Sequence, residues 1–188
     1  MAWLIIITGY ILGSFPTAYL VGRFLKGKDI RQMGDENAGA ANVYRELGPA
    51  AGIAVFIIDA AKGAVVVLVA QAASLPQAVI LCTGAVAVIG HNWPVFLGFR
   101  GGRGVSTTIG VLLVLVTLPI LVLALPVIFI LILKRNVTPS MAFLFIALPF
   151  VDWWFKVSPL LIGYGIALPA LVGITTFLRT RPKELHQA

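Results

Sequence analysis

Three groups of polar residues stand out against an apolar background, and their types suit the handling of an anion. The first is Gly90-His91-Asn92-Trp93-Pro94 followed by Phe99-Arg100-Gly101-Gly102-Arg103-Gly104-Val105-Ser106-Thr107. Gly101, Gly102 and Gly104 let successive amides turn toward one point, and a helix opening at Val105 would aim its positive dipole end at the same place. Arg103 adds a cation, and Ser106 and Thr107 add hydroxyls. A tight interhelical turn carrying arginines is the plainer alternative. His91 suits a general base, a phosphate donor or an interfacial cap equally well.

The second group lies in Gly22–Gly48, where Gly34, Gly39 and the small Ala38, Ala40 and Ala41 permit close backbone approach to a ligand, with Asn37, Asn42 and Arg45 as side-chain donors. An ordinary charged loop has little use for so many asparagines and small residues. The third is Asp59 and Lys62, three residues apart on one helix face, about 14 to 20 Å from a helix start near Pro49. Charges at that depth are either functional or a self-neutralising pair that locks helices together beside Ala60, Ala61 and Gly63.

Several chemistries are missing. There is no His-Glu-x-x-His, and two histidines, one of them His186 in a polar tail, cannot build a histidine-rich metal centre. The single Cys82 excludes a disulfide framework or cysteine metal cluster within one chain. No Gly-x-Ser-x-Gly elbow is present, nor the Gly-Lys-Ser/Thr triplet of a nucleotide-binding phosphate loop. His91 has Phe96 where the His-x4-Asp pair of thioester-dependent acyltransferases needs its carboxylate. A reaction run by positioning and charge neutralisation fits what is left.

The elements that hold these groups are membrane helices. With 188 residues, 60% hydrophobic and 11% charged, the chain is an integral membrane protein, expected to be all-α. A hydrocarbon core about 30 Å thick takes about 20 residues of helix. Ala2–Val21, Pro49–Ala72, Pro76–Gly98 and Ser158–Leu178 meet that length, with Val105–Leu133 and Pro139–Val151 between them. Val105–Leu133 is too long for one ordinary span, and Leu118–Pro119 marks the expected break.

Seven spans with the N-terminus outside and the C-terminus cytoplasmic put twelve of the fourteen Lys and Arg residues on the inner side, whereas six spans leave eight inside and five outside. Seven is therefore the expected count. The net charge of +7 reflects few acids rather than many bases, so it points to the inner leaflet and not to nucleic acid. The first segment has no basic residue before it and no small-x-small cleavage pattern, so it is expected to stay as a helix. A single polytopic domain over 1–188 is expected, without repeats.

The motifs resemble the bacterial membrane acyl-phosphate:glycerol-3-phosphate acyltransferases. Three stretches carry the likeness: Gly13-Ser14-Phe15-Pro16-Thr17-Ala18-Tyr19-Leu20; Asp29-Ile30-Arg31 through Asn37-Ala38-Gly39-Ala40-Ala41-Asn42-Val43-Tyr44-Arg45; and Gly90-His91 through Pro94-Val95-Phe96 to Gly101-Gly102-Arg103-Gly104-Val105. Asp59-Ala60-Ala61-Lys62-Gly63 matches as well.

The resemblance implies acyl transfer from acyl phosphate to the 1-hydroxyl of sn-glycerol 3-phosphate, the first step of phospholipid synthesis, at the cytoplasmic face of the bacterial plasma membrane. It implies no metal or coenzyme. The partners would be the two substrates and membrane lipid. By position Arg45 and Arg103 match the family's phosphate-handling cations, arginine standing at 103 where lysine is usual. Asn37, Asn42, Lys62 and His91 match the shell around them.

Four departures stand beside the likeness. The usual Gly-Ser-x-Asn is Gly34-Asp35-Glu36-Asn37, and the usual small-Thr-Asn is Ala40-Ala41-Asn42. One usual serine falls on Met141, with Ser140 beside it. The C-terminal His-x-x-Asn-Ile is absent, with Ile174-Thr175-Thr176-Phe177-Leu178-Arg179 in its region. A divergent member binding another lipid phosphate or using another acceptor is the second reading; a small-solute transporter, with Asp59 and Lys62 lining a path, is the third.

Overall fold

Eight of the twelve residues from Ala2 to Gly13 are large and apolar or aromatic, and a computed structural model, which describes residues 2–180, winds them into α1 (Ala2–Gly13). The expected single helix over Ala2–Val21 is in fact two. Pro16 cannot donate to a helical carbonyl, and the chain breaks at Ser14-Phe15-Pro16 before α2 (Thr17–Lys26). The segment expected to be a loop is largely ordered: a 3-10 turn at Ile30–Gln32 leads to α3 (Ala40–Leu47), and Pro49 then occupies the first turn of α4 (Pro49–Ala72).

The third expected span forms α5 (Gln77–Asn92), which stops at the His91-Asn92 end and passes into a second 3-10 turn, Val95–Leu97. Val105–Leu133 does divide, but at Val116 (φ −135, ψ 58), giving α6 (Val105–Leu115) and α7 (Thr117–Lys134). Pro119 does not make the break; it sits in the first turn of α7, where an amide has no helical acceptor to lose. The same tolerance extends α8 (Val137–Trp154) past Pro139, and α9 (Pro159–Thr180) begins on a proline.

Among the described residues there is no strand, and six helical stretches are long and apolar enough to cross a bilayer: 2–26, 49–72, 77–97, 117–134, 137–154 and 159–180. The apolar α6 has only 11 residues, about 16 Å of helix. It packs along the middle of α4 through small residues. A Cβ on Gly110 would strike the carbonyl of Ala60, and one on Gly63 the carbonyl of Thr107. In lipid, where burial of apolar surface drives little, such close van der Waals contact holds helices together.

α1 lies against α5, α7 against α8, and α9 against α5, α6 and α8. One buried cluster joins α6 to α8 through Leu112, Ile120, Leu123, Leu144 and Leu148, and another joins α4, α5, α6 and α9 through Val67, Val88, Val111 and Leu168. A third, of Ala18, Ile30, Ala38, Val43 and Val55, lies under the polar segment and fastens it to α2 and α4. That cluster makes a positioned site of what would otherwise be a surface loop.

Candidate active site

The end of α5 is the frame on which the site is built. The last carbonyls of a helix lack helical partners, and here those of His91 and Asn92, with Trp93 just beyond, find them in other segments of the chain. Gly102 N donates to His91 O and Gly101 N to Asn92 O, both at 3.1 Å. Tyr10 Oη donates to Trp93 O at 2.8 Å. Arg179, in the last turn of α9, donates through Nη1 to the carbonyls of Gly101 and Gly102 and through Nη2 to that of Asn92, with its guanidinium 5.9 Å from the Trp93 ring centroid.

This corrects one expectation. The amides of Gly101 and Gly102 do not turn toward an anion; they are committed to α5. Glycine is required at both positions: a Cβ on Gly101 would strike the carbonyl of His91, and one on Gly102 would collide with the His91 ring at Nε2. Gly104 caps α6 in the left-handed conformation (φ 87), and its missing side chain leaves room for Asn92 Oδ1. The first turn of α6 carries no side-chain cap.

The second wall is the 29–37 segment, tied from within by Asn42. Its buried Nδ2 donates to Ile30 O at 3.1 Å, Met33 O at 2.9 Å and Asn37 O at 3.0 Å, while Oδ1 accepts from Asp35 N at 3.2 Å. Asn42 therefore shapes the loop and has no donor left for a ligand. Gly39 likewise supports the start of α3, its carbonyl accepting from Asn42 N and Val43 N. Asn37 keeps a buried Oδ1 without a partner beside the cleft.

Asp29 and Arg31 form a clamp at the rim. Arg31 Nη2 lies 2.7 Å from Asp29 Oδ2, and Nη1 reaches across to Leu97 O at 2.9 Å and Arg100 O at 3.2 Å. The side-chain hydrogen bond from Arg31 holds the Asp29 carboxyl below its ordinary range, and the same contact raises Arg31.

Between these walls opens a cleft of about 460 Å³, lined by Arg31, Arg100, Arg103 and Arg179 against Asp29, Asp35 and Glu36. Arg45 from α3 and Arg103 from the glycine loop converge on one atom, Asp35 Oδ2, at 2.8 and 3.4 Å. Glu36 and Phe99, both on the cleft wall, hold left-handed backbones (φ 57 and 61) that cost non-glycine residues energy and mark tightly determined turns.

Beneath the cleft and sharing Gly101 with it is a pit of about 10 Å³, lined among others by Ser14, Thr17, Asp59, Lys62, His91 and Gly102. Lys62 Nζ pairs with Asp59 Oδ1 at 2.9 Å and donates to Phe15 O at 3.1 Å, a carbonyl freed by the break between α1 and α2. His91 Nδ1 lies 3.8 Å from the same Asp59 oxygen. The Ser14 and Thr17 hydroxyls are buried without partners.

Of the residues singled out in the sequence, Asn37, Arg45, Lys62, His91, Gly101, Gly102 and Arg103 thus come together around the cleft and its pit. Ser106 and Thr107 are buried in the first turn of α6 and line neither, Thr107 lying against Gly63 of α4. Ser140 is buried in α8, its Oγ donating to Asn136 O at 3.2 Å.

What the sequence did not reveal is Arg179. As the last-turn arginine of an apolar helix it counted only toward the inward charge bias. It and Thr175, one turn earlier on α9, both meet the end of α5, with Asn92 Nδ2 donating to Thr175 Oγ1 at 3.2 Å.

Residues 3–184 match the family model described as glycerol-3-phosphate acyltransferase. A relative from Dehalococcoides mccartyi, glycerol-3-phosphate acyltransferase 4, is 42% identical over 98% of this chain and 100% of its own length. Another, glycerol-3-phosphate acyltransferase 2 of Moorella thermoacetica, is 49% identical over 62% of this chain and 60% of its own. The crystal structure of PlsY (YgiH), an integral membrane glycerol 3-phosphate acyltransferase in its glycerol 3-phosphate form, superposes with a TM-score of 0.86 at 31% identity, covering 94% of this chain and 88% of that one. Its lysophosphatidic acid form gives 0.80 at 30% identity over 93% and 87%. With a family match over nearly its whole length and relatives of this identity and coverage, the chain belongs to the glycerol-3-phosphate acyltransferase family.

Proposed function

We propose that this multi-pass membrane acyltransferase moves an acyl group from acyl phosphate to the 1-hydroxyl of sn-glycerol 3-phosphate, at the cytoplasmic face of a seven-helix single domain with its N-terminus outside. The observation that carries the reading is the meeting of Arg45 and Arg103, from two separate segments, at the mouth of a cleft whose floor leads to His91. Both substrates carry phosphate, and two guanidinium groups aimed at one point suit an anion with several oxygens.

In the transfer the acceptor hydroxyl oxygen attacks the acyl carbonyl carbon, the bond from that carbon to the phosphate oxygen breaks, and phosphate leaves with the electron pair. The hydroxyl proton must go to a base. In this reading His91 takes it, with its Nε2 lying against Gly102 in the pit and its Nδ1 3.8 Å from Asp59 Oδ1. Lys62 keeps Asp59 from standing as an isolated buried charge. Arg45 and Arg103 neutralise the departing phosphate. Asn42 and Gly39 shape the loop, and Gly101, Gly102 and Gly104 let it close on α5. Ser106, Thr107 and Ser140 serve packing in this scheme.

The test is phosphate release by the purified, lipid-reconstituted protein from palmitoyl phosphate, with and without sn-glycerol 3-phosphate. Release should depend on the acceptor, and Arg45→Ala and Arg103→Ala should each lower it by roughly 100-fold while the protein stays folded. Unchanged turnover in both variants removes the assignment of the arginines. Release with other acceptors alone favours the divergent reading.

A further inference from the structure

Where the family's usual pattern has a serine, this chain has a carboxylate, and the carboxylate lies between the two cations that the acyltransferase reading assigns to phosphate. Arg45 Nη2 and Arg103 Nη2 both approach Oδ2 of Asp35, at 2.8 and 3.4 Å. We infer that Asp35 is a resident counter-anion of the site: it holds Arg45 and Arg103 together when no substrate is bound, yields them by exchange to the substrate's phosphate, and so sets the affinity for the acceptor. The inference rests on the reading that phosphate binds at these arginines.

Three features fit exchange better than a permanent structural pair. The side chains are partly open to water, 33% exposed for Asp35 and 52% for Arg45. Breaking an ion pair at such a site costs little. By contrast Asp59 and Lys62, at 2% and 6%, are sealed and have no route to substitution. Second, the main chain of Asp35 is pinned by its amide to Asn42 Oδ1, so the carboxylate can swing aside without moving the loop. Third, Asp35 leaves the site incompletely satisfied: Arg103 Nε is buried without an acceptor, and so is Asn37 Oδ1 without a donor. A phosphate brings more oxygens than one carboxylate, and a protonated phosphate or polyol hydroxyl brings a donor as well.

The arrangement has a use. Without Asp35 the two like charges would repel each other; with it both guanidinium groups stay within 3.4 Å of one carboxylate oxygen. The same anion weakens retention of phosphate and helps the product to leave.

The experiment compares wild type with Asp35→Asn and Asp35→Ser in reconstituted vesicles. Both variants should show a KM for sn-glycerol 3-phosphate lower by about two- to five-fold, the range of a partly exposed ion pair, with inorganic phosphate inhibiting at correspondingly lower concentration. A KM that is unchanged or raised in both folded variants overturns the inference.

Thermal stabilisation by inorganic phosphate, measured on the same proteins in detergent, supplies a readout independent of turnover. It should appear at lower phosphate concentration in Asp35→Asn than in wild type, and the gain should vanish in Asp35→Asn combined with Arg45→Ala. Asp35→Glu, which keeps the charge, should follow wild type, and a response equal to that of Asp35→Asn counts against the proposal. If the wild type shows no acceptor-dependent release, the acyltransferase reading falls, while the phosphate stabilisation still decides the role of Asp35.

Discussion

Asp29 shows how much a single contact decides. Arg31 Nε donates to both of its oxygens at 3.1 Å, and Nη2 lies 2.7 Å from Oδ2. Because the carboxyl is held below its ordinary value, the folded state releases that proton more readily than the unfolded chain does. The clamp's stabilisation is therefore fully present above the unfolded carboxylate value, about 3.9, and is lost as pH falls through the lower folded value. Thermal unfolding followed from pH 7 down to 3 should show a drop below about pH 4 that is shallower in Asp29→Asn; parallel acid limbs would mean that the clamp has no part in it. At this scale the sequence exposed residue types better than residue roles. Arg45 and Arg103 could be singled out as cations in segments rich in small residues, while His91 stayed open between a base, a phosphate donor and an interfacial cap. Asn42 was not, since whether an asparagine serves a ligand or its own loop depends on where the carbonyls of Ile30, Met33 and Asn37 fall, and no spacing rule tells that.

The helices were legible where composition alone makes them. The spans α4 and α9 follow from unbroken apolar runs, and Pro49 and Pro159 lie where prolines start helices. Interruptions were harder to place, because a proline in a first turn and a proline that breaks a helix look alike in sequence; hence Pro16 was passed over and Pro119 was given a break that belongs to Val116. Hardest were contacts between distant elements. α9 meets the glycine loop through Arg179, which accounts for three carbonyls with a planar fork of donors. A lysine has the charge without the fork. Arg179→Lys should accordingly lower turnover by about tenfold or more, with a modest fall in melting temperature, since the loop carrying Arg103 loses its alignment with His91. Turnover close to wild type would show that charge alone suffices at this position.

Across the whole molecule the polar groups of the site gather where the middle of α4, the finish of α5, the loop leading into α6 and the finish of α9 meet. The proposed orientation places that end in the cytoplasm. Lys28 and Lys156 are both exposed and lie on opposite sides in the seven-span scheme. In a background where Cys82 is replaced by Ala, a membrane-impermeant maleimide should label Lys156→Cys in intact cells and Lys28→Cys only after permeabilisation; the reverse pattern inverts the topology. The charge of the cleft carries a further meaning for how substrate arrives. Four arginines on its wall, with Arg45 paired to Asp35 at the mouth, face three carboxylates. Their long-range fields therefore largely cancel, and an approaching anion feels the arginines only within the last few ångströms, well inside a Debye length of about 8 Å. Encounter with a small dianion should then depend weakly on ionic strength, unlike capture by a uniformly basic funnel. On that account the acceptor should be captured almost as well from concentrated salt as from dilute.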